Sequence, residues 1–263
     1  MKVAFVGKGG AGKSAIAGTL ARALARRGAP VLAVDSDPLP GLAFSLGLES
    51  DEAPIPDDAV VERAQGESGP RFRLRPGLGA TEAVERYAVR GPDGVRFLQF
   101  GKIKGPDVNL FRSQLAFLQI VRELPADQWN VVGDLPGGTR QAFTGWGNFA
   151  QTVLVVVEPT AHSLLSGRRL ARMAHMESAP APGLADAPPP RRVVAVANKA
   201  READDVELIG RRTGLEVVAV VPWDEALAEA ERQRRPPIEA APECPAVQAV
   251  ESLAELLSGE MVR

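Results

Sequence analysis

A chain of 263 residues, 45% of them apolar and 24% charged, has the make-up of one globular domain with a sizeable core. The formal net charge of −2 and isoelectric point near 5.9 exclude a global attraction to nucleic acid or anionic lipid. The single cysteine, Cys244, excludes an internal disulfide and any multi-cysteine metal or iron–sulfur site within one chain, and fits a cytoplasmic compartment.

In chain order, Met1 leads straight into a β-rich run at 2–6, with no signal sequence expected and no apolar stretch long enough to span a bilayer. Gly7-Lys8-Gly9-Gly10-Ala11-Gly12-Lys13-Ser14 follows and fills the pattern G-x-x-x-x-G-K-[ST]. Ile16, Leu20 and Leu24 then recur at helical spacing, which predicts a helix over 13–27. Strand, loop and helix stand in the order a phosphate-binding loop requires. Glycines let backbone N–H groups reach phosphate oxygens, and the helix directs its positive end at them. Lys13 is placed to reach the β- and γ-phosphates, and Ser14, followed by Ala15, offers a hydroxyl to Mg²⁺. The chain has 25 arginines but six lysines, and two of the six, Lys8 and Lys13, fall in this loop. A compact ammonium is selected there over a planar fork.

Further strands are predicted at 30–34, 95–100, 129–133, 152–157, 192–197 and 216–221, and helices at 108–124, 161–177, 202–213, 224–235 and 246–258. The alternation predicts a single α/β domain over 1–263, with a mostly parallel sheet covered by helices on both faces. Residues 50–94, rich in Pro and Gly, read as an irregular insertion at the sheet edge with room for a small hairpin. Residues 178–190 read as an exposed, semi-rigid connector.

Ligands of such sheets gather where strands end. After 30–34 come Asp35-Ser36-Asp37-Pro38, two carboxylates suited to metal-bound water and to an attacking water; taken alone they also suit a capped turn. After 129–133 come Asp134-Leu135-Pro136-Gly137-Gly138, an aspartate able to serve Mg²⁺ through water and a turn able to bring N–H groups near a γ-phosphate. After 192–197 come Asn198-Lys199-Ala200-Arg201. Guanine recognition at that place needs a carboxylate acceptor where arginine only donates, so adenine is expected, with Asn198 on the purine edge. Pro222-Trp223-Asp224 either closes over the base or packs in the core.

The loop at 7–14, the segment Asp35-Ser36-Asp37-Pro38 and Asp134 together resemble the deviant Walker A ATPases, the MinD, ParA and nitrogenase iron protein class. Within it, residues 95–104 and Val221-Pro222-Trp223-Asp224 are most similar to the CooC-type ATPases that assist maturation of carbon monoxide dehydrogenase. The resemblance implies an ATP hydrolase working as a homodimer around two Mg²⁺-ATP molecules. Lys8 of each subunit would reach the other's phosphates, Asp37 would position the attacking water, and Asp35 and Asp134 would serve the metal. It also implies an ATP-to-ADP switch that activates a client enzyme, a metalloprotein foremost; the alternative is a positioning or partitioning ATPase of the MinD or ParA kind acting on DNA or a protein scaffold. The CooC-type Cys-x-Cys pair is absent, Gly105-Pro106-Asp107-Val108-Asn109 standing there, and Gly41 replaces an asparagine usual after the switch proline. Residues 243–263 carry Glu243, Glu251, Glu255 and Glu260, an acidic balance that speaks against membrane docking. Arg168, Arg169 and Arg172, and Arg232, Arg234 and Arg235, read as solvated helix faces and not as a nucleic-acid interface. His162 and His175 read as ordinary surface or packing residues.

Overall fold

The computed structural model of the chain describes residues 1–37, 41–49, 55–99, 110–137, 147–174 and 192–260. Its strands are β1 (Lys2–Gly7), β2 (Val31–Asp35), β3 (Val60–Glu62), β4 (Phe72–Leu74), β5 (Val89–Arg90), β6 (Arg96–Gln99), β7 (Asn130–Asp134), β8 (Thr152–Val157), β9 (Arg192–Ala200) and β10 (Val217–Pro222). Its helices are α1 (Lys13–Arg26), α2 (Leu42–Leu46), α3 (Ala80–Tyr87), α4 (Leu110–Glu123), α5 (Ala161–Ala174), α6 (Ala203–Thr213), α7 (Glu225–Arg232), α8 (Pro237–Ala240) and α9 (Pro245–Glu260).

Eight strands form one sheet in the order β10-β9-β8-β1-β7-β2-β6-β5. Neighbours are parallel from β10 through β6, and β5 closes one edge antiparallel to β6. Each face carries its own apolar layer because the strands bury both sets of side chains: Ala4 and Val6 of β1 lie on one side, Val3 and Phe5 on the other. The first layer packs beneath α4, α5 and α6, the second beneath α1 and α9. Ile16, Leu20 and Leu24 of α1 are buried in the second layer, as their spacing predicts.

The expected fold class holds, and each predicted strand is present to within a residue or two at its ends, save β9. That strand runs three residues further than expected, so Asn198 and Lys199 belong to its end and not to the following loop. The insertion is more ordered than its composition indicated. It contains the β3–β4 hairpin, paired from Val60↔Leu74 to Glu62↔Phe72, and the helix α3, which buries Ala83 and Val84 under α4. The connector at 178–190 and residues 101–109, the place of the missing cysteine pair, lie outside the described residues.

The order of strands places β1 centrally, with β7 and β8 on either side. The chain leaves β1 toward β2 and later returns, after β7, to β8 on the opposite flank. The crevice at the carboxyl end of β1 is therefore the topological switch point, where this kind of sheet receives ligands.

Candidate nucleotide site

The loop between β1 and α1 opens at that crevice. Gly12 caps α1 from the left-handed region (φ 89°) and no side chain caps the helix, leaving its positive end turned toward the loop's concavity. The Ala11 N–H donates to the Lys8 carbonyl at 3.1 Å and closes the turn. Lys8, Gly9 and Gly10 form an exposed tip; Ala11, Lys13 and Ala15 are buried, and Gly7 ends β1 beneath them. The two loop lysines thus occupy opposite settings, Lys13 inside the site and Lys8 out of it.

Two carboxylates flank the loop. Asp35 and Asp134 end adjacent strands in direct register, and both are almost fully buried. Ser14 donates its hydroxyl to Asp134 Oδ2 at 2.5 Å, whereas Oδ1 of the same carboxylate is buried without a partner. Both oxygens of Asp35 accept backbone N–H groups: Oδ1 from Asp37 at 2.9 Å, Oδ2 from Gly41 and Leu42 at 3.1 Å each. Asp35 therefore anchors the segment that carries Asp37, and the open acceptor belongs to Asp134.

Burial pushes the Asp134 carboxyl up to about 7, with the Asp35 charge adding to the rise and Ser14 and Lys13 opposing it. Burial raises Asp35 to about 6 against the three N–H donors. Two buried carboxyls on adjacent strand ends each raise the other's affinity for a proton, and a bound cation would oppose that rise. An orphaned carboxylate oxygen beside a serine hydroxyl fits Mg²⁺: Ser14 and Asp134 are the residues that would hold it, and the metal would offset the charge of the nucleotide phosphates.

The turn after β7 lies on the loop. A Cβ at Gly137 would come within 3.0 Å of Gly9 N and Cα, and Lys13 Nζ is near the same point. Gly138 lies outside the described residues. At Gly41 a Cβ would stand 3.0 Å from the Ser14 hydroxyl oxygen. Glycine there keeps a side chain away from the Ser14 hydroxyl.

Behind the loop the geometry differs from the expectation for Asn198. Its buried side-chain amide donates to the Ala11 carbonyl at 2.7 Å, so it braces the loop from within. A Cβ on Gly12 would meet the same amide at 2.3 Å. Lys199, in the left-handed region (φ 57°), donates to the Gly10 carbonyl at 3.2 Å and pairs with Glu158 at 2.6 Å. Sequence reasoning missed Lys199 and Glu158 as loop braces, although the scarcity of lysine was a usable signal.

Past β10, Trp223 is 39% exposed, with the Arg201 guanidinium 4.8 Å from its ring centroid. Its N–H donates to the Ala200 carbonyl at 2.9 Å, tying the Pro222-Trp223 corner to the end of β9. The Asp224 carboxylate accepts from the N–H groups of Ala226 and Leu227 and caps α7. Of the residues expected around a base, Pro222, Trp223 and Asp224 lie beside the end of β9, while the Asn198 amide is turned to the loop. His162 is exposed on α5, and His175 lies outside the described residues. Among the described residues, no group of three or more His, Cys, Asp or Glu side chains forms a further metal site, and no helix is long and apolar enough to cross a membrane.

A central parallel sheet with a glycine-rich loop at its switch point, a buried loop lysine and a serine–aspartate pair define a P-loop ATPase, with ATP or ADP and Mg²⁺ as its ligands. Residues 3–238 match the model of the CobQ/CobB/MinD/ParA nucleotide binding domain, and the chain belongs to that family. It is 28% identical over 246 residues to an uncharacterized ATP-binding protein of Methanocaldococcus jannaschii, covering 90% of each chain. It is 27% identical over 248 residues to the carbon monoxide dehydrogenase accessory protein CooC of Rhodospirillum rubrum, covering 88% of this chain and 87% of that one. The septum site-determining protein MinD of Pyrococcus horikoshii, solved with Mg-ADP, shares the fold with a TM-score of 0.67 at 19% identity, over 97% of this chain and 95% of that one. The CooC likeness is thus one of several, and the family as a whole is what the chain's membership establishes.

Proposed function

We propose that the chain is a nucleotide-switched homodimer that engages a protein scaffold or other macromolecule in one nucleotide state and releases it in the other, as a positioning ATPase does. The observation that carries this reading is the split setting of the two loop lysines. Lys13 is buried beside its own phosphate site, whereas Lys8 projects from the tip, where it serves a facing subunit better than its own. Asp37, held by Asp35 next to the loop, orients the water that attacks the γ-phosphorus; the bond to the β–γ bridging oxygen breaks and ADP and phosphate leave. The Gly137 turn, lying on Gly9, registers whether the γ-phosphate is present. Pro222, Trp223 and Asp224 line the side on which adenine is expected, and Asn198 supports the loop beside it.

The septum-site role named for the Pyrococcus protein supports the positioning reading at the level of shared fold. A second reading, activation of a client metalloenzyme, is supported by the 27% identity to CooC. Under that reading the client's metal is not carried on a Cys-x-Cys pair, since each chain has only Cys244.

A fluorescent fusion separates the two. A positioning ATPase collects on its scaffold, and Asp37→Ala, which holds the ATP state, freezes that distribution. Uniform fluorescence of both proteins, together with a client enzyme recovered on the Asp37→Ala form, would instead support maturation.

A further inference from the structure

Away from the nucleotide site, α5 and α6 enclose a groove whose two halves differ in chemistry. One half, about 440 Å³, is lined by Arg168 and Arg172 of α5 and by Arg211 and Arg212 near the end of α6, with no acidic residue among the described residues of its walls. The other half, of similar volume, is lined mainly by Leu164, Leu165 and Leu208, and it shares Arg168 and Arg212 with the first. Leu165 is 48% exposed, the highest among the large apolar side chains of the described residues.

Elsewhere several exposed arginines meet carboxylates, as in Arg71–Glu62, Arg86–Glu82 and Arg232–Glu225; the groove is set apart by the number of arginines that share it. In the groove Arg211 alone has such a partner, Glu207 at 3.4 Å, and among the described residues Arg168, Arg172 and Arg212 form no ion pair. Four guanidinium groups sit together near a helix end whose dipole attracts cations. Their mutual repulsion still remains to be offset by an external anion.

We infer that this groove is a docking site for an acidic, amphipathic segment of a partner protein. Carboxylates of the segment pair with Arg168, Arg172 and Arg212 in the planar, two-pronged manner guanidinium favours. One or two aliphatic or aromatic side chains enter between Leu164, Leu165 and Leu208. The leucines decide between an acidic protein and a nucleic acid, because a phosphate backbone gains nothing from an apolar half-groove next to its contacts. The inference goes beyond the nucleotide switch and does not depend on it: loss of docking would leave hydrolysis and dimer formation intact.

The test is a peptide-display selection on the immobilised full chain, with the selected peptides then synthesised and their affinities measured at two salt concentrations. The expected outcome is a family of peptides with acidic residues interleaved with Leu, Ile or Phe. Their affinity falls at least tenfold in Arg168→Glu/Arg212→Glu, falls severalfold in Leu165→Asp, and drops with salt. Unchanged circular dichroism and ADP binding confirm that both variants are folded; Arg168→Gln/Arg212→Gln provides a milder second pair. Three results would overturn the inference: no acidic family emerging, selected peptides binding the double variant as well as wild type, or a 24-base-pair duplex displacing them while Leu165→Asp has no effect.

Discussion

Lys8 and Lys13 are five positions apart and meet opposite surroundings, one exposed and the other buried. Lys8→Ala is expected to lower the hydrolysis rate by about 10³-fold or more, the scale of cations supplied from a facing subunit. Nucleotide affinity, measured by titration with a fluorescent ADP, should change far less than it does in Lys13→Ala. Equal loss of affinity in both variants would place Lys8 in its own site. The carboxylate pair gives a second expectation at this scale. Folded-state values near 6 and 7 for Asp35 and Asp134 lie above the unfolded ones, so the native chain holds a proton that the unfolded chain has lost. That contribution to stability is present below about pH 4 and is lost as pH rises toward 7. In nucleotide-free protein, wild type should therefore lose stability relative to Asp134→Asn between about pH 4 and 7, and Mg²⁺-ADP affinity should rise over the same window. Residue types at this site were legible because phosphate and Mg²⁺ chemistry restricts them to glycine, lysine, serine and aspartate. The division of labour was not: nothing in the pattern told that Asp35 would accept three N–H groups while Asp134 kept an oxygen open.

The loop, as an element, depends on a strand distant in sequence. Asn198 and Lys199 of β9 hold the carbonyls of Ala11 and Gly10, an arrangement only the neighbourhood of β9, β8 and β1 produces. Asn198→Ala strands the buried Ala11 carbonyl and should cost about 1–3 kcal/mol, read as a lower melting temperature together with weaker ADP binding. Asn198→Asp should be worse, since a carboxylate faces the same carbonyl. If either variant melts as wild type does, the brace is not structural. The sequence reading missed this because Asn-Lys after a strand was matched to base recognition, and a backbone carbonyl leaves no mark in a sequence. The strands flanking the site were readable, since burial on both faces writes them as unbroken apolar runs. Helix α3 was not, because an eight-residue helix that buries little beyond Ala80, Ala83 and Val84 gives too short a period to stand out among prolines and glycines.

Across the whole molecule, Arg22 of α1 links the nucleotide-binding helix to its surroundings. Only 2% exposed, it pairs with Asp93 at 2.6 Å and with Glu239 of α8, and donates to the Leu46 carbonyl at the end of α2. Burial alone would raise the Asp93 carboxyl, but hydrogen bonds and charge from Arg22 and Arg26 hold it below the usual range. Its stabilising share is thus present above the unfolded value and is lost as pH falls through the folded one. Arg22→Met should destabilise by about 2–3 kcal/mol, less than a fully stranded charge because Asp93 and Glu239 keep contact with water. The penalty relative to wild type should shrink in acid, below about pH 4, which chemical denaturation at several pH values would register. A helical pattern with arginine on its buried face hides this hub, since its partners lie some 70 and 217 residues away.

In the proposed cycle, nucleotide closes two copies of this chain around a shared site. Light scattering on Asp37→Ala, measured with Mg²⁺-ATP and with Mg²⁺-ADP, tests it most directly. A mass near twice 27.9 kDa is expected with ATP, with collapse to the monomer when Lys8→Ala is added; a protein that binds Mg²⁺-ATP fully and keeps the monomer mass would rule out the shared site.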